Sequence, residues 1–341
     1  MIVHMEVGVG EADQRTQGVQ VTAERYGLKT DVRVKQGTEH VATLVYLLDG
    51  EAQACTVGEF VFSQMAGVAN VVRVTPSRVS MVANGTYHRV RIGSAEIGKE
   101  LPCQVVAGPC VVDRNIDEMV AELARQGVDM IRGGCWKPRS SPYSFPGFGK
   151  SAVGWLLEAA RRHNISAVFT EVMDETHIQD IRSIKEEVGY GGDVVLWVGA
   201  RTYNLNLFSK LGRQKEFPVM VKNPLRAESV EEMARVAEFI LAGELHFDEN
   251  GVLIKDQSLI AGNDRLLLCC RGVEHRDPKS PYRFLPHHHW IEVAGNSYWT
   301  PVGFDPSHSA GTMRNDFVLR NLQDGLRYNP AFAMIEVGYP T

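Results

Sequence analysis

Residues 129–146 read DMIRGGCWKPRSSPYSFP and combine an apolar, strand-like start with a cluster of cations. The run opens on Met130 and Ile131, as a buried parallel strand does, and then breaks at a pair of glycines. Three cations, Arg132, Lys137 and Arg139, follow within eight residues. Arginine gives forked donors that fit carboxylate or phosphate, and lysine gives a compact charge. The stretch predicts an anion-binding loop at the end of a buried strand; a solvated basic loop is the alternative.

From residue 103 onward, strand-like and helix-like segments alternate along the chain. Its amphipathic segments with helical spacing separate most of eight strand-like runs: CQVVAGPC, DMIRGGC, ISAVFTEV, VVLWVGA, PVMVKNP, DRLLLCCRG, YWTPVGFD and FAMIEVG. Eight such units predict an α/β fold, a (β/α)8 TIM barrel, in which ligands bind at the carboxyl ends of the strands. A doubly wound open sheet is the alternative, but the sequence has no GxGxxG fingerprint to support it.

The pattern predicts three segments along the chain. Residues 1–75 show the order βαββαβ of a small ferredoxin-like α+β domain, which serves either packing and oligomerisation or the sensing of a small effector. Residues 76–102 are predicted as a linker with a hairpin that plugs a barrel, and residues 103–341 as the catalytic barrel. A further hairpin, predicted within residues 243–257, reads as a surface excursion.

The composition is that of a soluble globular protein. Of 341 residues, 44% are hydrophobic and 23% charged, and the net charge of −5 gives no reason to expect a nucleic acid or membrane partner. No apolar run reaches the roughly 18 residues that a membrane span needs. Acidic residues come too early for a signal peptide, and the six cysteines lack zinc-like or disulfide-like spacing. These features predict a reduced, cytoplasmic protein.

Cations recur where the predicted strands end. Besides the three in the opening stretch, they are Arg201, Lys222 and Arg271. So many converging cations would be costly without an anionic ligand, so they predict one or two phosphorylated substrates.

A second group of residues has the chemistry of metal ligands. Cys110, His308 and Glu336 follow predicted strands one, seven and eight, which become neighbours when a barrel closes. A thiolate, an imidazole and a carboxylate suit a divalent transition metal. Taken singly, Cys110 also fits a structural cysteine and His308 a helix cap. The run of histidines at 287–289 is not predicted to bind metal, because consecutive side chains on a helix point in different directions.

Five motifs resemble, in order, those of one enzyme family. They are VAGPC (106–110), IRGGCWKPRSSPYSFPGFG (131–149), TEVMD (170–174), VGAR (198–201) and FDPSHSAG (304–311). Together they resemble 3-deoxy-D-arabino-heptulosonate-7-phosphate (DAHP) synthase, type I beta, from about residue 103 to the C-terminus. The resemblance implies a transferase of the shikimate pathway, which condenses phosphoenolpyruvate with erythrose 4-phosphate and releases phosphate.

The resemblance also implies roles for individual residues. Arg132, Lys137, Arg201, Lys222 and Arg271 match the residues that bind the phosphate and carboxylate of phosphoenolpyruvate, and Ala200 lies beside them. Arg139 and Ser140 match the residues that hold the aldose phosphate. Cys110, His308 and Glu336 match three of the family's four ligands for a divalent metal ion (manganese, iron, cobalt or zinc). The implied catalytic residues are Lys137, Glu171 and His308.

Some of these assignments stay open. Glu171 fits the handling of the water proton, but it fits equally a structural carboxylate paired with Lys137 or Arg132. Asp305 orients either His308 or the acceptor. In the resembled subfamily the N-terminal domain carries feedback inhibition by aromatic amino acids, and the chain is expected to form a homo-oligomer, a dimer or a tetramer.

The sequence departs from the family at three places. No aspartate follows Glu336, where the fourth metal ligand is expected, and the final barrel helix is expected to be missing. VKNPLRAE (221–228) lacks the usual Lys-Arg-Gly run, and Cys270 stands where the subfamily has glutamate. Two alternatives therefore stay open: a synthase acting on another phosphosugar, such as arabinose 5-phosphate, and a non-catalytic regulatory homologue. The Lys-Pro-Arg of 137–139 favours the DAHP reaction.

Overall fold

The computed structural model describes residues 1–38, 40–48, 59–72, 80–83, 87–139, 141–244, 262–310 and 314–338. The described residues fall into two compact units, 1–72 and 80–338. Nearly all of the surface excursion predicted within 243–257 lies outside the described residues, as does Ser140.

The first unit is a ferredoxin-like α+β domain, as predicted. Its elements are β1 (Ile2–Met5), α1 (Gln14–Arg25), β2 (Lys29–Gln36), β3 (Val41–Leu48), α2 (Glu59–Ser63) and β4 (Val68–Val72). The four strands form an antiparallel sheet in the order β2-β3-β1-β4. Helix α1 begins after Asp13, whose side chain accepts a hydrogen bond from the Arg15 N–H, as an N-cap does. Val3, Val19, Val45 and Phe62 are fully buried in one apolar cluster.

The second unit holds the remaining elements. They are α3 (Ser80–Ala83), β5 (Val90–Ile92), β6 (Ala95–Ile97), β7 (Gln104–Gly108), α4 (Ile116–Arg125), β8 (Met130–Arg132), α5 (Lys150–Arg162), β9 (Ala167–Val172), α6 (Thr176–Val188), β10 (Asp193–Val198), α7 (Leu205–Arg213), β11 (Val219–Lys222), α8 (Val230–Ala242), β12 (Leu266–Cys270), α9 (His289–Ser297), β13 (Val302–Phe304), α10 (Arg314–Leu326) and β14 (Phe332–Glu336).

Strands β7 to β14 close into a parallel barrel. Each strand pairs with the next along the chain, and β14 returns to β7, where Phe332 pairs with Gln104. The predicted (β/α)8 barrel is confirmed, and the open sheet is wrong. Residues 339–341 lie outside the described residues, so the expected absence of a final helix stays a prediction.

The barrel has two apolar layers because successive side chains of a strand point to opposite faces. Met130, Phe169, Met220 and Leu267 fill the interior. The alternate residues pack outward against the helices in a second cluster. Burying each such side chain contributes about 1.5–3 kcal/mol, so both layers stabilise the barrel.

The β5–β6 hairpin closes the amino end of the barrel. Val90, Ile92 and Ile97 join the interior cluster. The turn residue Gly93 has a φ of +58°, and its N–H donates to Asp193 Oδ2 at 2.8 Å. Because this end is filled by side chains, a substrate can reach the interior side chains from the carboxyl end of the strands.

Candidate active site

Strand alternation brings the functional side chains to the carboxyl end of the barrel. On β9, Phe169 packs inside and Glu171, two residues later, reaches the cavity. On β11, Met220 and Lys222 repeat this arrangement. On β8, the same two-residue spacing separates Met130, which packs inside, from Arg132, the last strand residue, which reaches the cavity. The pattern that fills the core therefore also sets the direction of the site residues.

These side chains surround one cavity that opens to solvent. The predicted site residues that line it are Cys110, Arg132, Lys137, Arg139, Glu171, Ala200, Arg201, Lys222, Arg271 and His308. Asp305 and Glu336 contact His308 behind this lining. The structure thus brings together all the predicted site residues that it describes.

Two buried arginines point unpaired nitrogens into this region. Arg132 is 1% exposed, and its Nε and Nη1 have no hydrogen-bond partner among the described residues. Arg271 is 8% exposed, and its Nε and Nη2 are likewise unpaired within the described chain. Burial lowers the pKa of Arg271. A buried donor without a partner costs about 1–3 kcal/mol, so these groups mark places for the oxygens of an anion.

Trp197 contacts two of the cations through its indole ring. The Arg132 guanidinium lies 5.3 Å from the centre of the indole ring, and Lys222 Nζ lies 5.4 Å from it. These distances suit cation–π attraction, which helps to hold both charges in an otherwise apolar interior.

Lys137 lies against Cys110. Its Nζ donates to the Cys110 carbonyl oxygen and lies 3.5 Å from the Cys110 Sγ. Burial lowers the pKa of Lys137, and the nearby Cys110 opposes this effect. Gly134 makes the contact possible, because a Cβ there would collide with Lys137 Nζ and with the Cys110 carbonyl.

Glu171 is a buried carboxyl group among cations. Burial raises its pKa, and the charges of Lys137 and Lys222 oppose the rise. The carboxylate lies over Gly199, where a Cβ would collide with Glu171 Oε1. A carboxyl whose pKa is raised above the ordinary value is suited to exchange a proton during a reaction.

Asp305 links the cationic and the metal-capable parts of the site. It is 2% exposed, and its Oδ2 accepts hydrogen bonds from Lys222 Nζ at 2.6 Å and from His308 Nδ1 at 2.7 Å. Its Oδ1 accepts from the backbone N–H of Ser307 and His308. Burial would raise the pKa of Asp305, but the surrounding cations, Lys222 among them, hold it well below its ordinary value.

Cys110, His308 and Glu336 form a group that is capable of binding a metal. Their ligand atoms all lie within 4.8 Å of one another, with His308 Nε2 3.4 Å from Glu336 Oε2. Because the ionised Asp305 accepts from Nδ1, the lone pair of Nε2 is left for a metal. Burial lowers the pKa of His308, and the nearby Asp305 carboxylate opposes this effect.

The run of histidines at 287–289 does not join this group. His287 stacks on Trp290 with ring centres 4.8 Å apart, and His288 meets Phe304. Within the described ranges, Cys110, His308 and Glu336 are the one set of three side chains whose donor atoms converge in this way.

Five cavity residues were not assigned a role from the sequence: Pro138, Trp197, Gly199, Arg283 and Phe284. Arg283 and Phe284 lie in the β12–α9 connection and line the cavity. The Arg271 and Arg283 guanidinium groups lie 4.6 Å and 5.0 Å from the centre of the Phe284 ring. The only sequence feature that could have indicated Arg283 is an arginine in a loop bounded by prolines, a pattern too common to predict a binding residue.

Cys270 faces the outer layer. It belongs to the apolar cluster between strands and helices, and burial raises its pKa well above the ordinary value. Cys270 therefore belongs to the packing behind the cavity and not to the cavity lining.

Comparison with known proteins agrees with this site. The model of the DAHP synthetase I family matches residues 79–338. The chain belongs to the DAHP synthetase I family. Among curated proteins, the phospho-2-dehydro-3-deoxyheptonate aldolase of Thermotoga maritima is 28% identical over 328 residues, which cover 94% of this chain and 83% of that protein.

Solved structures of this family have the same fold. The 1.92 Å crystal structure of the T. maritima phospho-2-dehydro-3-deoxyheptonate aldolase (DAHP synthase) matches with a TM-score of 0.76 and 25% identity, over 98% of this chain and 87% of that one. A truncated form of the 3-deoxy-D-arabino-heptulosonate 7-phosphate synthase from T. maritima matches with a TM-score of 0.60 and 26% identity, over 76% and 84%. The predicted resemblance to DAHP synthase, a transferase-type enzyme, is confirmed. None of the described helices combines the length and apolar character needed to cross a bilayer.

Proposed function

We propose that this DAHP synthetase family member condenses phosphoenolpyruvate with erythrose 4-phosphate, forming DAHP and inorganic phosphate in a metal-dependent reaction. The observation that carries the proposal is the pair of buried arginines, Arg132 and Arg271, each of which has two guanidinium nitrogens without a partner within the described chain. Lys137 and Lys222 line the same cavity, next to a metal-capable group. A small ligand with both a phosphate and a carboxylate matches this number of cations.

The donor set fits a divalent transition metal. Cys110, His308 and Glu336 offer sulfur, nitrogen and oxygen, and Asp305 fixes the imidazole with Nε2 free to bind. A metal held there supplies Lewis-acid polarisation of the acceptor aldehyde. Manganese, iron, cobalt and zinc all match this donor chemistry.

The cationic residues bind and orient phosphoenolpyruvate. In this proposal Arg132, Lys137, Arg201, Lys222 and Arg271 hold its phosphate and carboxylate, and Ala200 packs beside them. Arg139 holds the phosphate of the aldose, together with Ser140, which lies outside the described residues. Fixing both substrates in one cavity supplies the proximity that an intermolecular carbon–carbon bond requires.

The reaction joins C3 of phosphoenolpyruvate to the aldehyde carbon, while water adds to C2 and phosphate leaves with cleavage of the C–O bond. Glu171 takes the proton of the attacking water, which its raised pKa allows. Lys137, with its lowered pKa, is a proton donor at the same place. An aromatic amino acid as effector and a homo-oligomeric assembly stay predictions.

Phosphate release tests this function. Metal-stripped protein is assayed with both substrates, then assayed again after manganese is restored, with Cys110→Ala as the matched variant. Turnover that returns with manganese and is lost in the variant is the expected result. No phosphate release from the metal-restored protein, while calorimetry shows that phosphoenolpyruvate binds, would contradict the proposed reaction.

A further inference from the structure

Arg283 is a cation in the cavity wall that the assignments above leave without a role. It is exposed, lines the cavity and has no carboxylate partner among the residues that the structure describes. Its guanidinium lies 5.0 Å from the centre of the Phe284 ring, and that of Arg271 lies 4.6 Å from it. Two like charges are thus held at one aromatic ring, an arrangement that an anion in contact with both would stabilise.

The backbone around Arg283 holds it at the cavity. Val273 and Leu285 exchange two backbone hydrogen bonds of 3.0 and 2.8 Å across the connection. The Arg283 N–H donates to the Ser309 carbonyl oxygen at 3.0 Å, which ties the loop to the residue after His308. These backbone contacts fix the position from which the Arg283 side chain reaches the cavity.

The charges around Arg271 support the same conclusion. Burial lowers the pKa of Arg271, and the nearby charges of Arg201 and Arg283 lower it further. Arg201 and Arg283 therefore both lie within electrostatic reach of Arg271. A phosphate carries nearly two negative charges and three strong acceptor oxygens, so it can serve several such groups at once.

We propose that Arg283 binds the phosphate of phosphoenolpyruvate together with Arg271, with Arg283 as the solvent-facing member of the pair. The naming of the substrate rests on the proposed function. As the exposed member, Arg283 contacts the phosphate as the substrate enters and again as inorganic phosphate leaves.

Steady-state kinetics tests the role of Arg283. Arg283→Ala should raise the KM for phosphoenolpyruvate and the inhibition constant of inorganic phosphate roughly 10- to 100-fold, as loss of one charge-assisted contact does. Arg283→Lys, which keeps the charge and loses the fork, should lie between this variant and the parent protein. Arg276→Ala is the matched control, because Arg276 is exposed on the same connection and does not line the cavity.

The outcomes separate this proposal from the proposed function. If the protein turns over its substrates and Arg283→Ala has the same kinetic constants as Arg276→Ala, the role of Arg283 is overturned and the proposed reaction is unaffected. A rise in the KM for erythrose 4-phosphate alone would overturn the pairing with Arg271. If the protein shows no turnover, calorimetry with phosphoenolpyruvate still decides: weaker binding by Arg283→Ala supports the proposal, and unchanged binding overturns it.

Discussion

Replacing Asp305 with asparagine should destabilise the protein and weaken metal binding together. Asp305 is 2% exposed and Lys222 is 6% exposed, and their side chains lie 2.6 Å apart. Breaking a buried ion pair by removing one partner costs roughly 3–5 kcal/mol, because the other charge stays buried. In Asp305→Asn the amide oxygen can still accept from the backbone N–H groups. The amide NH2 then faces Lys222 Nζ and His308 Nδ1.

The contact of the new amide NH2 with His308 Nδ1 affects the metal-capable group, because it determines which imidazole nitrogen carries the proton. Facing an NH2 donor, His308 Nδ1 has to accept, which moves the ring proton to Nε2, the nitrogen beside Glu336. Loss of such a supporting carboxylate typically lowers metal affinity about 10- to 100-fold. The two effects have one origin, so they should appear in the same variant.

Two measurements on the same samples check this prediction. Guanidinium denaturation, followed by tryptophan fluorescence, gives the free energy of unfolding, and calorimetric titration gives the affinity for Mn²⁺. Asp277→Asn, at an exposed position, is the control for the change of carboxylate to amide. An Asp305→Asn protein within about 0.5 kcal/mol of the parent, with unchanged Mn²⁺ affinity, would refute the reasoning.

Other predictions address single features of the cavity. Arg132→Met should stabilise the ligand-free protein by about 1–4 kcal/mol and abolish phosphoenolpyruvate binding, since it removes a buried unpaired charge; a melting curve and calorimetry measure the two effects. Gly199→Ala should push the Glu171 carboxylate aside and lower kcat at least tenfold with little change in stability. The rate should fall with decreasing pH as Glu171 becomes protonated, and a pH profile of Glu171→Gln should lack this fall. The midpoint of the fall should lie above the ordinary glutamate pKa of about 4.3, because burial raises the pKa of Glu171.

The barrel was predictable because its signals are local and repeated. Each predicted strand run overlaps a strand of the structure, from Gln104–Gly108 to Phe332–Glu336, and a helix joins each strand to the next. The cations could be placed at one end of the barrel because parallel strands all deliver their last residues there. A strand end and a charge were therefore enough to predict one common cavity.

What the sequence left open depends on register and on distant contacts. In β12, Cys269 faces the barrel interior and Cys270 the outer layer, but both faces of a buried parallel strand are apolar, so the sequence does not distinguish them. Arg283 lies at the cavity on a loop that the pairing of Val273 with Leu285 helps to hold. The ion pair of Lys222 with Asp305 joins residues 83 positions apart. None of these follows from a local pattern.

Identification of the product tests the central claim most directly. Metal-restored protein is incubated with phosphoenolpyruvate and, in parallel, with erythrose 4-phosphate or arabinose 5-phosphate, and the products are analysed by mass spectrometry. The account predicts a seven-carbon phosphorylated keto acid from erythrose 4-phosphate, in amounts equal to the phosphate released. A product formed only from arabinose 5-phosphate, or no carbon–carbon bond formed with either sugar, would contradict it.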